Sequence, residues 1–145
     1  MTAGHRTSDS VRSRVPRDAA DARARVAEAF ALAWAGTGRP PSPTALGDAL
    51  LVTSELVSNA LRHGGGLTGF AVEWDRGAVT VTVADASGEL PHRARGRGGK
   101  RGPVPGEGGF GWPLVRLLAL DIRLRLPRNG GKTIEVRLPL HRSGK

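Results

Sequence analysis

Three polar residues recur along one predicted helix at a spacing that could serve a metal ion. Glu55, Asn59 and His63 stand four positions apart, so on a helix they form one continuous row. The row borders the apolar positions Val52 and Ala60, whereas a solvated face would more commonly carry Lys, Glu and Arg. Carboxylate and amide oxygens suit a hydrated Mg²⁺, and a carboxylate can also act as a general base. The alternative is a solvated helix edge on which His63 only complements the helix dipole.

Asp85 and a later glycine-rich run form a second group of candidates. Asp85 closes a valine-rich segment, where a carboxylate could accept a hydrogen bond from an amino group. The sequence Asp-Ala-Ser-Gly over 85–88 is equally ordinary turn chemistry. The later run lies directly before a predicted helix and comprises Gly106, Gly108, Gly109 and Gly111. Such a run lets backbone N–H groups approach phosphates, but it matches no P-loop or dinucleotide fingerprint, so a flexible connector stays open.

Positive charge is concentrated outside the expected body of the fold. The chain carries 22 Lys and Arg against 13 Asp and Glu, for a net charge of +9. Residues 18–92 carry five Arg against nine acids, so much of the excess lies in residues 1–17 and in one basic stretch. That stretch comprises Arg93, Arg95, Arg97, Lys100 and Arg101. It could engage phosphates or an acidic partner, or be a basic loop without a dedicated role. Nucleic-acid binding is a third-ranked hypothesis, because aromatic residues for stacking are few.

The elements that must position these residues begin with two helices. Residues 1–15 show no periodicity, which predicts a flexible arm. Asp18 is a plausible cap for a first helix, whose apolar positions are Val26, Phe30, Ala33 and Trp34. Ser42 or Thr44 caps a second helix that runs to about His63, and one face of it carries Leu46, Leu50, Val57 and Leu61.

Alternation and turn signals predict four strands and one more helix. Strands are expected around 70–74, 79–85, 122–126 and 133–140, with turns at 75–77 and 129–131. A third helix begins at Gly111, with Pro113 in its first turn. Residues 86–109 lack periodicity, and a stretch of this length in a compact domain is typical of a lid or binding loop. The α-α-β-β-loop-α-β-β order favours an α+β two-layer sandwich, with helices on one face of a mixed, mostly antiparallel sheet.

Composition limits the function classes further. The absence of cysteine excludes a disulfide scaffold, a Cys-based zinc site and a thiol nucleophile. The polar N-terminus predicts no signal peptide, and no apolar run reaches the length of a membrane span. We therefore expect a cytoplasmic protein with one domain over 16–141, an arm over 1–15 and a tail over 142–145.

Taken in order, the motifs resemble those of a known family. The order runs from Glu55-Leu-Val-Ser-Asn59-Ala-Leu-Arg-His63 to Asp85-Ala-Ser-Gly88, then to Gly109-Phe-Gly111 and Gly131-Lys-Thr133. It resembles the GHKL ATP-binding (Bergerat-type) fold, and more narrowly the single-domain anti-sigma-factor serine kinases and their actinomycete relatives. The resemblance covers about residues 20–140.

The resemblance implies a role for each matching residue. Asn59 would ligate Mg²⁺ bound to ATP, with His63 beside it in the ATP site, and Glu55 would be the general base. Asp85 would bind the adenine amino group, with Gly88 in the following turn and Thr133 completing the adenine pocket. The glycines of the later run would form the lid and phosphate turn. The implied partners are a sigma factor and an antagonist protein whose serine is phosphorylated, and family members often form homodimers.

The sequence departs from the family pattern at the phosphate end of the site. Ser87 stands where the family usually has the first glycine after the aspartate, and Glu89 replaces the second. No arginine occurs between residues 102 and 115, and Phe110 stands where actinomycete relatives often carry one. An arginine that contacts the transferring phosphoryl group can change rates by orders of magnitude. An inactive nucleotide-binding module that sequesters a partner is therefore the alternative to a serine/threonine-protein kinase.

Overall fold

The computed structural model describes residues 5–6, 14–87 and 111–142. In chain order its elements are β1 (His5–Arg6), α1 (Ala19–Thr37), α2 (Pro43–His63), β2 (Leu67–Trp74), β3 (Ala78–Asp85), α3 (Gly111–Leu118), β4 (Asp121–Arg125) and β5 (Lys132–Pro139). The strands form one sheet in the order β1-β2-β3-β5-β4. The predicted α+β arrangement is confirmed, and every strand pairing among the described residues is antiparallel.

Local signals account for where the two long helices begin. Asp18 caps α1 by accepting a hydrogen bond from the Asp21 amide, and Ser42 caps α2 by accepting one from the Ala45 amide. Both satisfy amide groups that the first turn of a helix leaves unpaired. Pro43 follows the cap, where a missing N–H costs nothing.

The core lies between the helices and one face of the sheet. In the antiparallel register, Val81 of β3 stands opposite Val136 of β5, and Val83 stands opposite Ile134. These inward residues join Phe30 of α1 and Val57 of α2 in one buried cluster. The alternating positions on both strands therefore form one apolar surface under the helices.

Some large side chains on the predicted apolar faces are exposed. Trp34 of α1 is 52% exposed, Leu61 of α2 46% and Leu117 of α3 75%. The buried faces of α1 and α2 are rich in alanine instead, at Ala22, Ala29, Ala33, Ala45, Ala49 and Ala60. Alanines allow two helices to approach closely, so the larger residues flank the contact rather than fill it.

The described residues include parts of the predicted arm, lid and tail. Within the predicted arm, β1 pairs with Trp74 and Glu73 of β2. Arg142, the first residue of the predicted tail, forms an ion pair with Asp48 at 2.9 Å and donates a hydrogen bond to the Leu118 carbonyl. Most of the predicted lid, residues 88–109, lies outside the described residues. None of the described helices is long and apolar enough to cross a membrane.

Candidate functional site

The C-terminal end of α2 meets Asp85 through a glycine. A Cβ atom at Gly64 would lie 2.5 Å from Oδ2 of Asp85 and 2.8 Å from the Ala60 carbonyl oxygen. Gly64 has an ordinary φ of −98°, so the requirement for glycine here is one of space. The C-terminal end of α2, one residue after His63, and the aspartate at the end of β3 are therefore neighbours.

A second glycine brings β5 against the backbone of Asp85. Gly131 adopts a φ of +83°, and a Cβ atom there would lie 2.6 Å from the Asp85 carbonyl oxygen. Both the left-handed conformation and the close approach favour glycine at this position. The turn that precedes β5 thus sets the next residue, Lys132, directly opposite Asp85 in the antiparallel register.

Asp85 forms a buried ion pair with Lys132. Nζ of Lys132 lies 2.7 Å from Oδ2 of Asp85, and the two residues are only 6% and 7% exposed. The Ser87 amide donates to the other oxygen, Oδ1, at 3.0 Å, and Nζ lies 3.5 Å from the Ser87 carbonyl oxygen. Because a buried charge is costly unless paired and hydrogen-bonded, these contacts hold the carboxylate in one orientation.

The polar row contains two oxygen-bearing side chains, those of Glu55 and Asn59. Glu55 and Asn59 are half-buried, whereas His63 is exposed at the end of α2. Within the part of the chain that the structure describes, neither Glu55 nor Asn59 makes a side-chain hydrogen bond or ion pair. Their oxygen chemistry fits Mg²⁺, which commonly takes one or two protein ligands and completes its shell with water and phosphate.

The described residues hold no larger metal site. Residues 5–6, 14–87 and 111–142 contain no group of three or more His, Cys, Asp or Glu side chains that could bind an ion together. A structural zinc site is therefore not formed in this part of the protein. The side chains of the polar row therefore suit a hydrated ion that keeps water and phosphate among its ligands.

Thr133 and Asp85 lie on opposite faces of the sheet, and the role of Thr133 in an adenine pocket stays a prediction. Thr133 stands opposite Ala84 in the register, and neighbouring strand residues alternate between the two faces of a sheet. Asp85, Lys132 and Ile134 share the face toward the helices, so Thr133 lies on the other one. The residue directly opposite Asp85 is Lys132, which was not among the predicted site residues.

The remaining predicted site residues belong to the glycine-rich segments. Gly88, Gly106, Gly108 and Gly109 lie outside the described residues, so their place in the site stays a prediction. Gly111 is the first residue of α3, as its position before the apolar residues predicted. The structure therefore brings together Asp85 and the end of the α2 row.

A second aspartate pairs with β5 away from this site. Partial burial alone would raise the pKa of Asp75, but hydrogen bonds from the Arg137 side chain and the Gly77 and Ala78 amides hold the pKa below its usual 3.8. Arg137 lies 2.8 Å from Oδ2 of Asp75. This pair stabilises the turn between β2 and β3 and lies at the opposite end of β3 from Asp85.

Comparison with known proteins assigns the whole arrangement to one family. The family model described as a histidine kinase-like ATPase domain matches residues 16–138. The matched range includes α1, α2, α3, β2, β3, β4 and nearly all of β5, together with Asn59 and Asp85. A search of the curated proteins finds no match.

Proposed function

The chain belongs to the histidine kinase-like ATPase domain family, and on this premise we propose that it is an ATP- and Mg²⁺-binding regulator of the anti-sigma-factor type. The observation that carries the proposal is the contact between Gly64 and Asp85. It brings the end of α2, the helix that carries Glu55 and Asn59, next to a buried carboxylate that is already oriented. A nucleotide needs both features, one for its phosphates and one for its base.

Asp85 is the group that would bind the adenine base. Among the described residues, Oδ1 accepts one hydrogen bond from the Ser87 amide and Oδ2 accepts one from Lys132, and an ionised carboxylate has lone pairs for further donors. The exocyclic amino group of adenine is such a donor. The surrounding burial strengthens this hydrogen bond relative to one in water.

Asn59 and Glu55 would act at the phosphate end. Asn59 offers an amide oxygen to Mg²⁺, and His63 lies one helical turn further along the same row. Bound Mg²⁺ neutralises charge on the triphosphate. Glu55 stands one turn before Asn59, where its carboxylate can accept a proton from a hydroxyl group. The glycines at 88, 106, 108, 109 and 111 would line the phosphates through their backbone amides.

The finer proposal is phosphorylation of a serine on an antagonist protein. The serine oxygen bonds to the γ-phosphorus, the bond from that phosphorus to the β–γ bridging oxygen breaks, and ADP leaves. Glu55 takes the hydroxyl proton. Positioning and charge neutralisation supply most of the rate in such transfers. Under this proposal the protein acts in the cytoplasm and also binds a sigma factor, as a monomer or a homodimer.

A second candidate function is nucleotide binding without transfer. The absence of arginine between residues 102 and 115 favours it, because no cation of that segment is available to stabilise charge on the transferring phosphoryl group. In this case the bound nucleotide would control sequestration of a sigma factor or another partner.

Thermal unfolding with and without Mg·ATP tests the binding proposal. At about 100 times its dissociation constant, a ligand adds roughly 2.7 kcal/mol, which raises the Tm of a domain of this size by several degrees. We expect a Mg²⁺-dependent shift in the wild type and in Ser58→Ala, a control at the neighbouring half-buried position. Asn59→Ala should abolish the shift. No shift at millimolar Mg·ATP in the wild type would overturn the proposal.

Transfer of a labelled phosphoryl group separates the two candidate functions. Wild-type protein, γ-labelled ATP and candidate antagonist proteins should give a labelled serine if the chain is a kinase. Glu55→Gln should then lose the label while it keeps the Mg·ATP thermal shift, because the proton acceptor is removed and the nucleotide contacts are not. A thermal shift without label for any antagonist would favour the binding module.

A further inference from the structure

Lys132 is an unusual cation in this chain. Arginine supplies 19 of the 22 Lys and Arg residues, and Lys132 is the one lysine within the described ranges 5–6, 14–87 and 111–142. Lys132 and Asp85 are also the buried charged residues of those ranges. Lysine, which is rare in this chain, therefore occupies a buried position, where a charge is most costly.

Stability alone is a weak reason for a pair of this kind. Two charges removed from water lose hydration that their attraction repays only with good geometry, and apolar replacements of similar volume often stabilise a protein as well. The strand neighbours on the same face are apolar, since Ile134 and Val83 continue it directly. An apolar pair at 85 and 132 would extend that packing.

The hydrogen bonds instead define a fixed acceptor. Lys132 holds Oδ2 at 2.7 Å, and the Ser87 amide holds Oδ1 at 3.0 Å, so the plane of the carboxylate is set from both sides. An acceptor that is already oriented binds an amino group more strongly than one that must first reorient.

We propose that Lys132 is a positioning residue for the nucleotide base, which acts by holding the Asp85 carboxylate oriented toward the exocyclic amino group of the purine. The inference rests on the proposed ATP binding and assigns recognition of the base to three residues, Lys132, Asp85 and Ser87. Lys132 itself need not contact the nucleotide.

A cycle of two proteins and two nucleotides tests this role. The proteins are the wild type and Lys132→Met, which has a neutral side chain of similar length. The nucleotides are Mg·ATP and the Mg²⁺ complex of purine riboside triphosphate, which lacks the 6-amino group. We expect Lys132→Met to weaken ATP binding about tenfold or more, since a hydrogen bond to a charged group is affected. Binding of the analogue should change by less than about twofold.

The control variant is Arg137→Met, which breaks the ion pair at the other end of β3. It should leave both dissociation constants unchanged, because Arg137 contacts Asp75 and not Asp85. A second readout needs no nucleotide. The Ser87 amide donates to Asp85, so its proton resonance should shift and its hydrogen exchange should accelerate in Lys132→Met but not in Arg137→Met.

Each outcome of the cycle decides one question. Equal losses for both nucleotides in Lys132→Met would overturn the positioning role and leave a structural one. Tighter ATP binding in the variant would also overturn it, since Lys132 would then compete with the base for Asp85. Failure of the wild type to bind Mg·ATP overturns the proposed function itself and is seen before any variant is compared. A loss confined to ATP supports the inference.

Discussion

Two ion pairs join the same two segments of the sheet but lie in opposite surroundings. Asp75, just before β3, binds Arg137 at 2.8 Å, and Asp85, the last residue of β3, binds Lys132 at 2.7 Å. The side chains of Arg137 and Asp75 are 41% and 32% exposed, whereas those of Lys132 and Asp85 are 7% and 6% exposed. The N–O distances of the two pairs are nearly equal, so the pairs differ mainly in how far their charges are exposed to water.

The two carboxylates also differ in what their oxygens contact. Asp75 accepts hydrogen bonds from the Gly77 and Ala78 amides, so its acceptor capacity serves the turn itself. Asp85 makes fewer contacts of this kind and is packed between two glycines, Gly64 and Gly131. Buried charge with spare acceptor capacity is typical of a binding site, and solvated charge that closes a turn is typical of a scaffold.

The largest expected effect comes from breaking the buried pair on one side. Asp85→Asn leaves the Lys132 charge buried without a counter-charge, which should lower the free energy of unfolding by about 3–5 kcal/mol. It should also remove the Mg·ATP thermal shift. Urea unfolding measures the stability loss at the same pH for both proteins.

The double variant Asp85→Leu with Lys132→Met sharpens this result. It removes both charges, so most of the stability lost in Asp85→Asn should return, as apolar replacement of buried pairs often allows. The thermal shift with Mg·ATP should stay absent. A double variant as unstable as Asp85→Asn would contradict the view that the pair serves binding more than stability.

A smaller effect is expected from filling the space beside Asp85. Gly64→Ala places a methyl group within 2.5 Å of Oδ2 of Asp85, which should cost about 1–3 kcal/mol of stability and weaken Mg·ATP binding. Gly47→Ala is the matched control, because Gly47 lies in α2, the helix that Gly64 caps, and its added Cβ would meet no atom within 4 Å beyond its chain neighbours and its own helix backbone. The control should be stabilised by up to about 1 kcal/mol. Equal melting temperatures for the two variants would contradict the close contact.

The sequence predicted the elements well because their signals are local. Caps at Asp18 and Ser42 and the alternating valines of β3 predict element bounds without reference to distant residues. Exposure of Trp34 and Leu61 was not predicted, because it depends on how closely the alanine-rich faces of α1 and α2 approach. The periodicity of apolar residues describes a single helix, whereas the burial of their side chains depends on the element packed against that helix.

The site was predicted less completely because one contact depends on strand register. The Lys132 position carried a usable signal, since alternation back from Ile134 places it on the inward face and Thr133 on the outward one. The identity of its partner could not be read in this way. Residues 85 and 132 are paired only by the antiparallel register of β3 and β5. The glycine contacts of Asp85 likewise appear only once α2 and the sheet are packed together.

The pair at the other end of β3 should have a modest and pH-dependent effect. Because the pKa of Asp75 is lower when folded than when unfolded, its contribution is present above the unfolded value of about 3.8 and is lost as pH falls through the folded value. Asp75→Asn should therefore reduce stability by about 1 kcal/mol or less at pH 7 and by less at pH 2, given the exposure of the pair. Urea unfolding at both pH values checks this. A loss that persists undiminished at pH 2 would assign it to the turn hydrogen bonds instead of the charge.

The smallest effect is expected where an ion pair of β5 is most exposed. Arg125 of β4 lies 3.2 Å from Glu135, and their side chains are 60% and 28% exposed. Arg125→Ala should change the free energy of unfolding by only a few tenths of a kcal/mol and leave Mg·ATP binding unaltered, because hydration already satisfies both charges. Unfolding with and without 0.5 M NaCl provides the check, since any contribution of this pair should be screened by salt. The contributions of the three ion pairs of β5 to the free energy of unfolding would then increase with burial. A loss for Arg125→Ala as large as that for Asp85→Asn would show that strand position, and not hydration, determines these contributions.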